Sequence, residues 1–335
     1  MGHPKITVFM AAYNQADFIQ QSINSVLTQS FSDFELIIVN DGSIDNTTTI
    51  VESFNDNRIR LVHNDGNKGL IYTRNRLLTL AQGEYIAILD GDDIAYQDRL
   101  KLQYNFLLAN PEVVLCGGHA AIINEHGNKT GDKLRVPVNN TIDLFMLFGN
   151  PFVNSTTMFK TSVFTELNGY QNYTISEDFD LFIRMAEKYK VANLDETLVD
   201  YRVHSNNTST LNTNTRLANE RKIISHMQKR IGLPYDERRL NLHVELFNWT
   251  PVKEHLNDYS FLFNEFKLAN NISKRYDPKI FNQFLFNKWM DILKFDQINS
   301  LSLKWYFKNE IFESDYFSFK KFRRAFKNSI KQLLN

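Results

Sequence analysis

A single cysteine, Cys116, occurs in the 335 residues. That excludes an internal disulfide and fits a reducing compartment. No apolar run approaches the roughly 20 residues needed to cross a bilayer. No hydrophobic signal segment follows Met1, so the expected location is cytoplasmic. Asn-x-Ser/Thr triplets such as Asn46-Thr47-Thr48 are then expected to be chance occurrences rather than glycan acceptors. Surplus charge is missing as well: 38 basic residues balance 38 acidic ones. Bulk electrostatics therefore points to neither nucleic acid nor an acidic partner. The chain holds no internal repeat and no low-complexity tract. Two common phosphate-binding devices are also absent. The turn after the first predicted strand reads Ala11-Ala12-Tyr13-Asn14-Gln15 without a glycine, which excludes a Gly-x-Gly-x-x-Gly dinucleotide turn. No Gly-x-x-x-x-Gly-Lys-Ser/Thr loop occurs anywhere.

From Lys5 to about Gly118, strand-like and helix-like patterns alternate. Strands are predicted at Ile6–Met10, Phe34–Val39, Arg58–Val62, Tyr85–Leu89 and Val113–Cys116. Helices are predicted from about Ala16 to Gln29, Asp45 to Phe54, Leu70 to Leu80 and Gln97 to Ala109. Short connections between alternating elements imply an α/β, Rossmann-like, doubly wound and mostly parallel sheet. Beyond Gly118 short strands are expected at Ala120–Ile123, Ser155–Phe159 and Leu198–Val203, with an amphipathic helix at Glu177–Tyr189. From about Leu211 the composition turns to Phe, Tyr, Asn and Lys in helical segments, where Trp289 and Trp305 read as core. A boundary near residue 210 separates the two regions.

The chemistry concentrates where strands end. Tyr85 to Leu89 runs into Asp90-Gly91-Asp92-Asp93, and the carboxyl ends of parallel strands are where ligands bind. Crowded carboxylates repel one another unless a cation lies between them. Mn²⁺ or Mg²⁺ suits oxygen ligands and phosphate together. The i, i+2 spacing of Asp90 and Asp92 in extended chain sends both side chains to one side. A capped acidic turn would read the same way in isolation. A second acidic site, Asn40-Asp41-Gly42-Ser43, follows the second strand, with Ser43 or Asp41 as candidate caps for the next helix. A third, Ser176-Glu177-Asp178-Phe179-Asp180, opens a helix, where acids ordinarily complement the dipole.

Taken in order, these segments resemble the family-2 glycosyltransferases of GT-A fold. The resemblance is carried by Ala11-Ala12-Tyr13-Asn14, Val39-Asn40-Asp41-Gly42-Ser43, Asn67-Lys68-Gly69 with Arg74-Asn75, Gly83-Glu84-Tyr85-Ile86, Leu89-Asp90-Gly91-Asp92-Asp93 and Glu177-Asp178. Asp98-Arg99-Leu100 stands where that family begins its next helix. The likeness covers roughly residues 5 to 205. It implies a GT-A domain at 1–210, with a nucleotide-sugar half to about 118 and an acceptor half from 119, then a helical region at 211–335. It implies an inverting, metal-dependent hexosyl- or N-acetylhexosaminyltransferase that uses a UDP-sugar in bacterial surface polysaccharide assembly. By resemblance, Asp41 reads the uracil or ribose, and Ala12, Tyr13 and Asn14 line the base pocket. Arg74 lies near the nucleotide, and Asp90 with Gly91 lies near the ribose and a metal water. Asp92 is the direct metal ligand and Asp178 the general base. Arg202 and His204, in Tyr201-Arg202-Val203-His204, contact diphosphate and metal. The segment from Asn150 to Tyr173 is expected to build the acceptor site.

Two rivals carry different expectations. A sugar-phosphate nucleotidyltransferase needs a Gly-rich basic first loop, which Ala11 to Gln15 does not supply. A catalytically silent glycan-binding scaffold has no use for like charges packed at one site. At the far end, residues 316–335 hold Lys320, Lys321, Arg323, Arg324, Lys327 and Lys331 and no acid. Phe319, Phe322, Phe326, Ile330 and Leu333 recur at helical spacing. A basic amphipathic helix of this kind can lie at the surface of an anionic membrane, and the resemblance to bacterial glycosyltransferases, which commonly use lipid-linked acceptors, adds the inner membrane face and such an acceptor to the expectations. The bland alternative is a terminal helix docked on its own domain.

Overall fold

The computed structural model describes residues 2–138, 141–205, 207, 213–295, 298–308 and 310–334. The chain divides into two units: residues 1–146 with 150–219, and residues 147–149 with 220–335. The boundary expected near residue 210, and the start of the helical region at Leu211, lie outside the described residues.

The first unit opens with β1 (Ile6–Ala12), α1 (Ile19–Leu27), β2 (Phe34–Asn40), α2 (Thr47–Glu52) and β3 (Ile59–His63). Next come α3 (Leu70–Asn75), α4 (Leu77–Leu80) and β4 (Tyr85–Ile88). β1 pairs in parallel with both β2 and β4, and β2 with β3. Ile6, Val8, Met10 and Ala12 of β1 face Ile19, Ile23 and Val26 of α1 in one buried cluster. Each of these side chains apart from that of Ala12 contributes on the order of 1.5–3 kcal/mol by leaving water. This half follows the period-2 and period-3.6 patterns of the sequence. One difference is that the Leu70–Leu80 helix is two short pieces meeting at Arg76.

The second half comprises β5 (Ile94–Ala95), α5 (Arg99–Ala109), β6 (Val113–Asn124), β7 (Lys129–Leu134), α6 (Ile142–Phe145), β8 (Met158–Lys160), α7 (Thr161–Glu166), α8 (Glu177–Lys188) and β9 (Lys190–Val203). Among the described residues, nine strands form one sheet in the order β3-β2-β1-β4-β8-β6-β9-β5, with β7 paired to β6. β8 lies antiparallel between β4 and β6. The sheet is thus mixed, with its parallel character strongest at β3-β2-β1-β4. The segments Val113–Cys116 and Ala120–Ile123 are one strand. Pairing with β9 carries it through Gly117-Gly118 by shifts of register. The strand expected from Ser155 begins only at Met158, because Asn154–Thr156 forms a 3₁₀ turn. That turn matters for the site.

The helices of the remaining chain are α9 (Thr213–Arg230), α10 (Glu237–Phe247), α11 (Leu256–Ser273), α12 (Pro278–Lys294), α13 (Leu303–Tyr306) and α14 (Phe319–Leu334). Asp236 caps α10 through the Arg239 amide and Asp277 caps α12 through the Ile280 amide, with Pro278 at the first helical position. Trp289 is fully buried in the second unit and donates to the Trp305 carbonyl at 2.9 Å. Trp305 is only half-buried.

Within that unit the buried His243 donates through Nε2 to the Leu147 carbonyl, and its Nδ1 faces the Gln228 amide at 3.2 Å. Both partners suit the neutral ring. Burial pushes its pKa down to about 4. A folded pKa below the unfolded value gives stability that is present above about pH 6.5 and lost as pH falls toward 4, up to roughly 3 kcal/mol. All three tryptophans, Trp249, Trp289 and Trp305, lie in this unit. Denaturant unfolding followed by tryptophan fluorescence is expected to show that acid limb, and His243→Gln is expected to flatten it. An unchanged slope in the variant would remove His243 as the cause.

Candidate active site

The site is built at the carboxyl ends of β1 and β4. Asp90 stands just beyond β4, and the 3₁₀ turn brings two polar side chains to it. Asn154 Nδ2 and Ser155 Oγ donate to Asp90 Oδ2 at 3.0 and 3.1 Å, and Arg74 donates to Oδ1 at 3.0 Å. A second Arg74 nitrogen donates to Glu177 at the start of α8. Arg74 is buried beside the ring of Tyr170. Burial alone lowers its pKa, but the carboxylates of Asp90 and Glu177 more than offset this and hold it above the ordinary value. One guanidinium therefore ties α3, the end of β4 and the first turn of α8 together.

Asp178 follows Glu177 and lines the same cleft. Its Oδ1 accepts the Phe179 amide at 2.7 Å. Burial and the adjacent Glu177 push its pKa up to about 7, against the opposing pull of Arg74. Arg74 pairs with Glu177 and Asp90, so Asp178 keeps its basicity at the cleft wall. Ile175, immediately before this turn, has φ of 71° and also lines the cleft. A β-branched residue with positive φ is strained, and such strain clusters at functional sites.

Behind the cleft, Asp92 Oδ2 meets His204 Nε2 at 3.0 Å. The Phe18 ring lies 4.8 Å from the His204 ring and 4.9 Å from the Arg202 guanidinium. Arg202 is buried, and its guanidinium donates to the carbonyls of Asp92, Asn124 and Glu125 and to Gln21 Oε1. Its amide donates to Asp93 Oδ1 at 2.8 Å. Asp93 is buried, and burial together with Asp92 and Asp90 raises its pKa well above the usual carboxylate range. Asp92 is raised too, first by burial and then by Asp90, with His204 opposing. A Cβ on Gly91 would lie 1.9 Å from Gln15 Oε1, so a side chain there requires the Gln15 side chain to move.

On the β1 side, Asp41 is buried and accepts from Asn64 Nδ2, the Lys68 amide and the Gly69 amide at 2.6, 2.8 and 2.9 Å. Gly42 has φ of +75°, and a Cβ on it would come within 2.6 Å of the Gly66 carbonyl carbon. Asp41 thus locks the 64–69 loop against the second strand. Neither Asp41 nor Ser43 caps α2. Ser43 Oγ instead accepts the Asn14 amide at 3.0 Å, and Asn14 Oδ1 accepts the Ile44 amide at 3.0 Å. Asp45 and Thr47 hold the Ala16 and Gln15 amides. Ala12 is buried and Tyr13 is exposed.

The resulting cleft, about 350 Å³, is lined by Arg74, Asp90, Asp92 and Asp178 from the predicted set. Ala12, Tyr13, Asn14, Asp41, Gly91, Arg202 and His204 stand around it rather than on its wall, His204 through its contact with Asp92. Gln15, Asn154, Ile175 and Tyr201 also line it without having been assigned a role. Asn154-Ser155 falls in the segment expected to build the acceptor site, and the structure places both on Asp90. For Ile175 the sequence offers no signal.

Among the described residues, no three His, Cys, Asp or Glu side chains are arranged to hold a metal ion by themselves. Asp92 with His204, beside Asp90, nonetheless fits a divalent cation that takes one or two protein ligands and completes its shell with phosphate oxygens and water.

Comparison with known proteins agrees with the geometry. The model of glycosyl transferase family 2 matches residues 7–164. An uncharacterized glycosyltransferase of Haemophilus influenzae is 31% identical over 263 residues, covering 75% of this chain and 80% of its own. The Escherichia coli UDP-Glc:alpha-D-GlcNAc-diphosphoundecaprenol beta-1,3-glucosyltransferase WfgD is 38% identical over 119 residues, 36% of this chain and 47% of that one. The crystal structure of S. aureus TarS 1–349 in complex with UDP-GlcNAc superposes with a TM-score of 0.56 at 16% identity, covering 88% of this chain and 89% of that one. The fold is GT-A, and the chain is a glycosyltransferase. The chain belongs to glycosyl transferase family 2. That membership sets aside the nucleotidyltransferase alternative.

Proposed function

We propose that this protein moves a hexosyl or N-acetylhexosaminyl group from a UDP-sugar to a hydroxyl of a glycan or lipid-linked glycan, with inversion, during bacterial surface polysaccharide assembly. The observation that carries the reading is the pairing of roles in one cleft. Asp178, raised to about 7, lines it together with the acids Asp90 and Asp92. A sugar hydroxyl is a poor nucleophile, so a positioned carboxylate must accept its proton as the new C1–O bond forms. Asp178 serves that part. Asp90, gripped by Arg74, Asn154 and Ser155, meets the ribose side of the donor. A divalent cation, Mn²⁺ or Mg²⁺, held by Asp92 and His204 would neutralise the diphosphate leaving group. Arg202 is assigned to positioning rather than to the diphosphate, because its donors are engaged by Asp92, Asn124, Glu125 and Gln21. Asp41 reaches the nucleotide through the loop it holds, with Tyr13 at the rim.

The UDP donor is supported by the similarity to WfgD, which takes UDP-Glc, and to TarS, which binds UDP-GlcNAc; the lipid-linked acceptor is supported by the diphosphoundecaprenol acceptor of WfgD. Calorimetric titration with UDP and GDP, each with and without Mn²⁺, tests donor and metal together. The expected result is UDP binding strengthened by Mn²⁺, with Asp92→Ala losing that enhancement and at least about a hundredfold in transfer, equivalent to several kcal/mol of stabilisation. Preference for GDP would sink the UDP assignment. Metal-independent binding with an active Asp92→Ala protein would sink the metal role.

A further inference from the structure

We infer that the outer face of α14 is a docking surface for an anionic lipid bilayer. The inference is independent of the sugar-transfer reading. The terminal helix docks within its own unit through one edge of its apolar stripe, Phe322, and leaves Phe319, Phe326 and Ile330 of that stripe exposed. The inward face is Ala325, fully buried, with Ser329, whose Oγ accepts the Leu303 amide at 2.8 Å, and Lys321, which donates to Asn287 Oδ1 at 2.7 Å. Phe322 joins this side through ring contacts with Phe307 and Phe317. The adjoining face of the helix carries Phe319, Phe326 and Ile330 at i, i+7 and i+11, 71, 47 and 42% exposed, with the Phe326 ring stacked on Phe322. Phe317 and Phe307, half-exposed beside them, extend the patch. Isolated exposed apolar residues are ordinary, whereas a contiguous set marks an interaction surface.

The charges around the patch select its occupant. Lys320, Arg323, Arg324 and Lys327 are exposed and flank the stripe, and α14 carries no acid between Phe319 and Leu334. Of the expected basic and apolar set, the side chains of Lys331 and Leu333 lie outside the described residues. A second copy of this chain laid face to face would bring these cations against their own kind. A bilayer with anionic headgroups matches both features: phenylalanines enter the interface while lysine and arginine reach the headgroups. Juxtamembrane cations of this kind strengthen partitioning about fivefold each at low salt and lose effect as salt rises.

The test is co-sedimentation of the full chain with vesicles of phosphatidylcholine alone or mixed with phosphatidylglycerol. Two variants accompany it, Phe319→Ser with Phe326→Ser and Ile330→Ser, and Arg323→Glu with Lys327→Glu. Each is checked for unchanged tryptophan fluorescence and thermal unfolding. Expected are binding to the anionic vesicles only, weakening with salt, and a loss of at least tenfold in each variant. Equal sedimentation with both vesicle types overturns the proposal, as do variants that bind like the parent. So does light scattering showing a dimer that the serine variant dissolves while vesicle binding is absent throughout.

Discussion

Exchanging Asp178 for asparagine is expected to lower transfer about 10²–10⁴-fold, the contribution typical of a positioned general base. It is also expected to make the folded protein more stable at neutral and alkaline pH. The two effects share one cause. Burial and Glu177 raise the folded pKa of Asp178 to about 7, above its ordinary 3.8. Between those values the folded state keeps a proton that the unfolded chain releases. The group's contribution to stability is therefore fully present below about pH 4 and lost as pH rises through 7. The carboxylate is partly open to the cleft, so the size is on the order of 1–2 kcal/mol once solvent screening is allowed for. Asparagine carries no such penalty. Thermal unfolding of the two proteins at pH 5 and pH 8 checks this: the advantage of the variant should be larger at pH 8. The parent's kcat/KM should rise with pH and level off above about 7. Near-parental turnover in the variant would overturn the base assignment, and an advantage independent of pH would overturn the raised pKa.

The second large effect falls on Arg74. Removing one member of a buried ion pair leaves its partners charged and unpaired, which costs about 3–5 kcal/mol. Arg74→Met strands Glu177 and deprives Asp90 of one of its three donors. Hydrogen exchange in β1 and β4 is expected to report that loss, and UDP binding should fall with it. Arg74→Lys, with a point charge in place of a planar fork, cannot serve both carboxylates at once and is expected to retain only part of each. Combining Arg74→Met with Glu177→Gln should restore stability more than binding, because the stranded charge is removed while Asp90 remains under-supported. A loss below about 1 kcal/mol for Arg74→Met would show that the network does not hold the site together.

Several parts of this arrangement were legible from residue order. Apolar runs such as Ile86–Leu89 and Leu36–Val39 state their burial directly, and the acids that follow them sit at strand ends as expected. The helix beginning at Glu177 was equally plain from Phe179, Phe182 and Ile183. What proved illegible was long-range pairing. The 14 residues of β9 bind along β6, and that pairing, not local pattern, makes one strand of segments separated by Gly117-Gly118-His119. The insertion of β8 between β4 and β6 has no local signature, since a three-residue strand is specified by its neighbours.

The same division runs through the site. Sequence alone determined which chemistry is available: carboxylates at the ends of apolar strands, a Glu-Asp pair opening a helix, and no glycine loop for phosphate. Those follow from side-chain type and from periodicity, which are local properties. Tertiary structure alone decided which of these groups act and which support. It turned Asp41 toward a loop, Arg202 toward Asp92, Asn124 and Glu125, and Asn154 with Ser155 toward Asp90. It gave Arg74 to Glu177 rather than to Asp178. Basicity depends on burial and on the nearest charges in space, and residues 74, 90 and 178 become neighbours only when the sheet has formed.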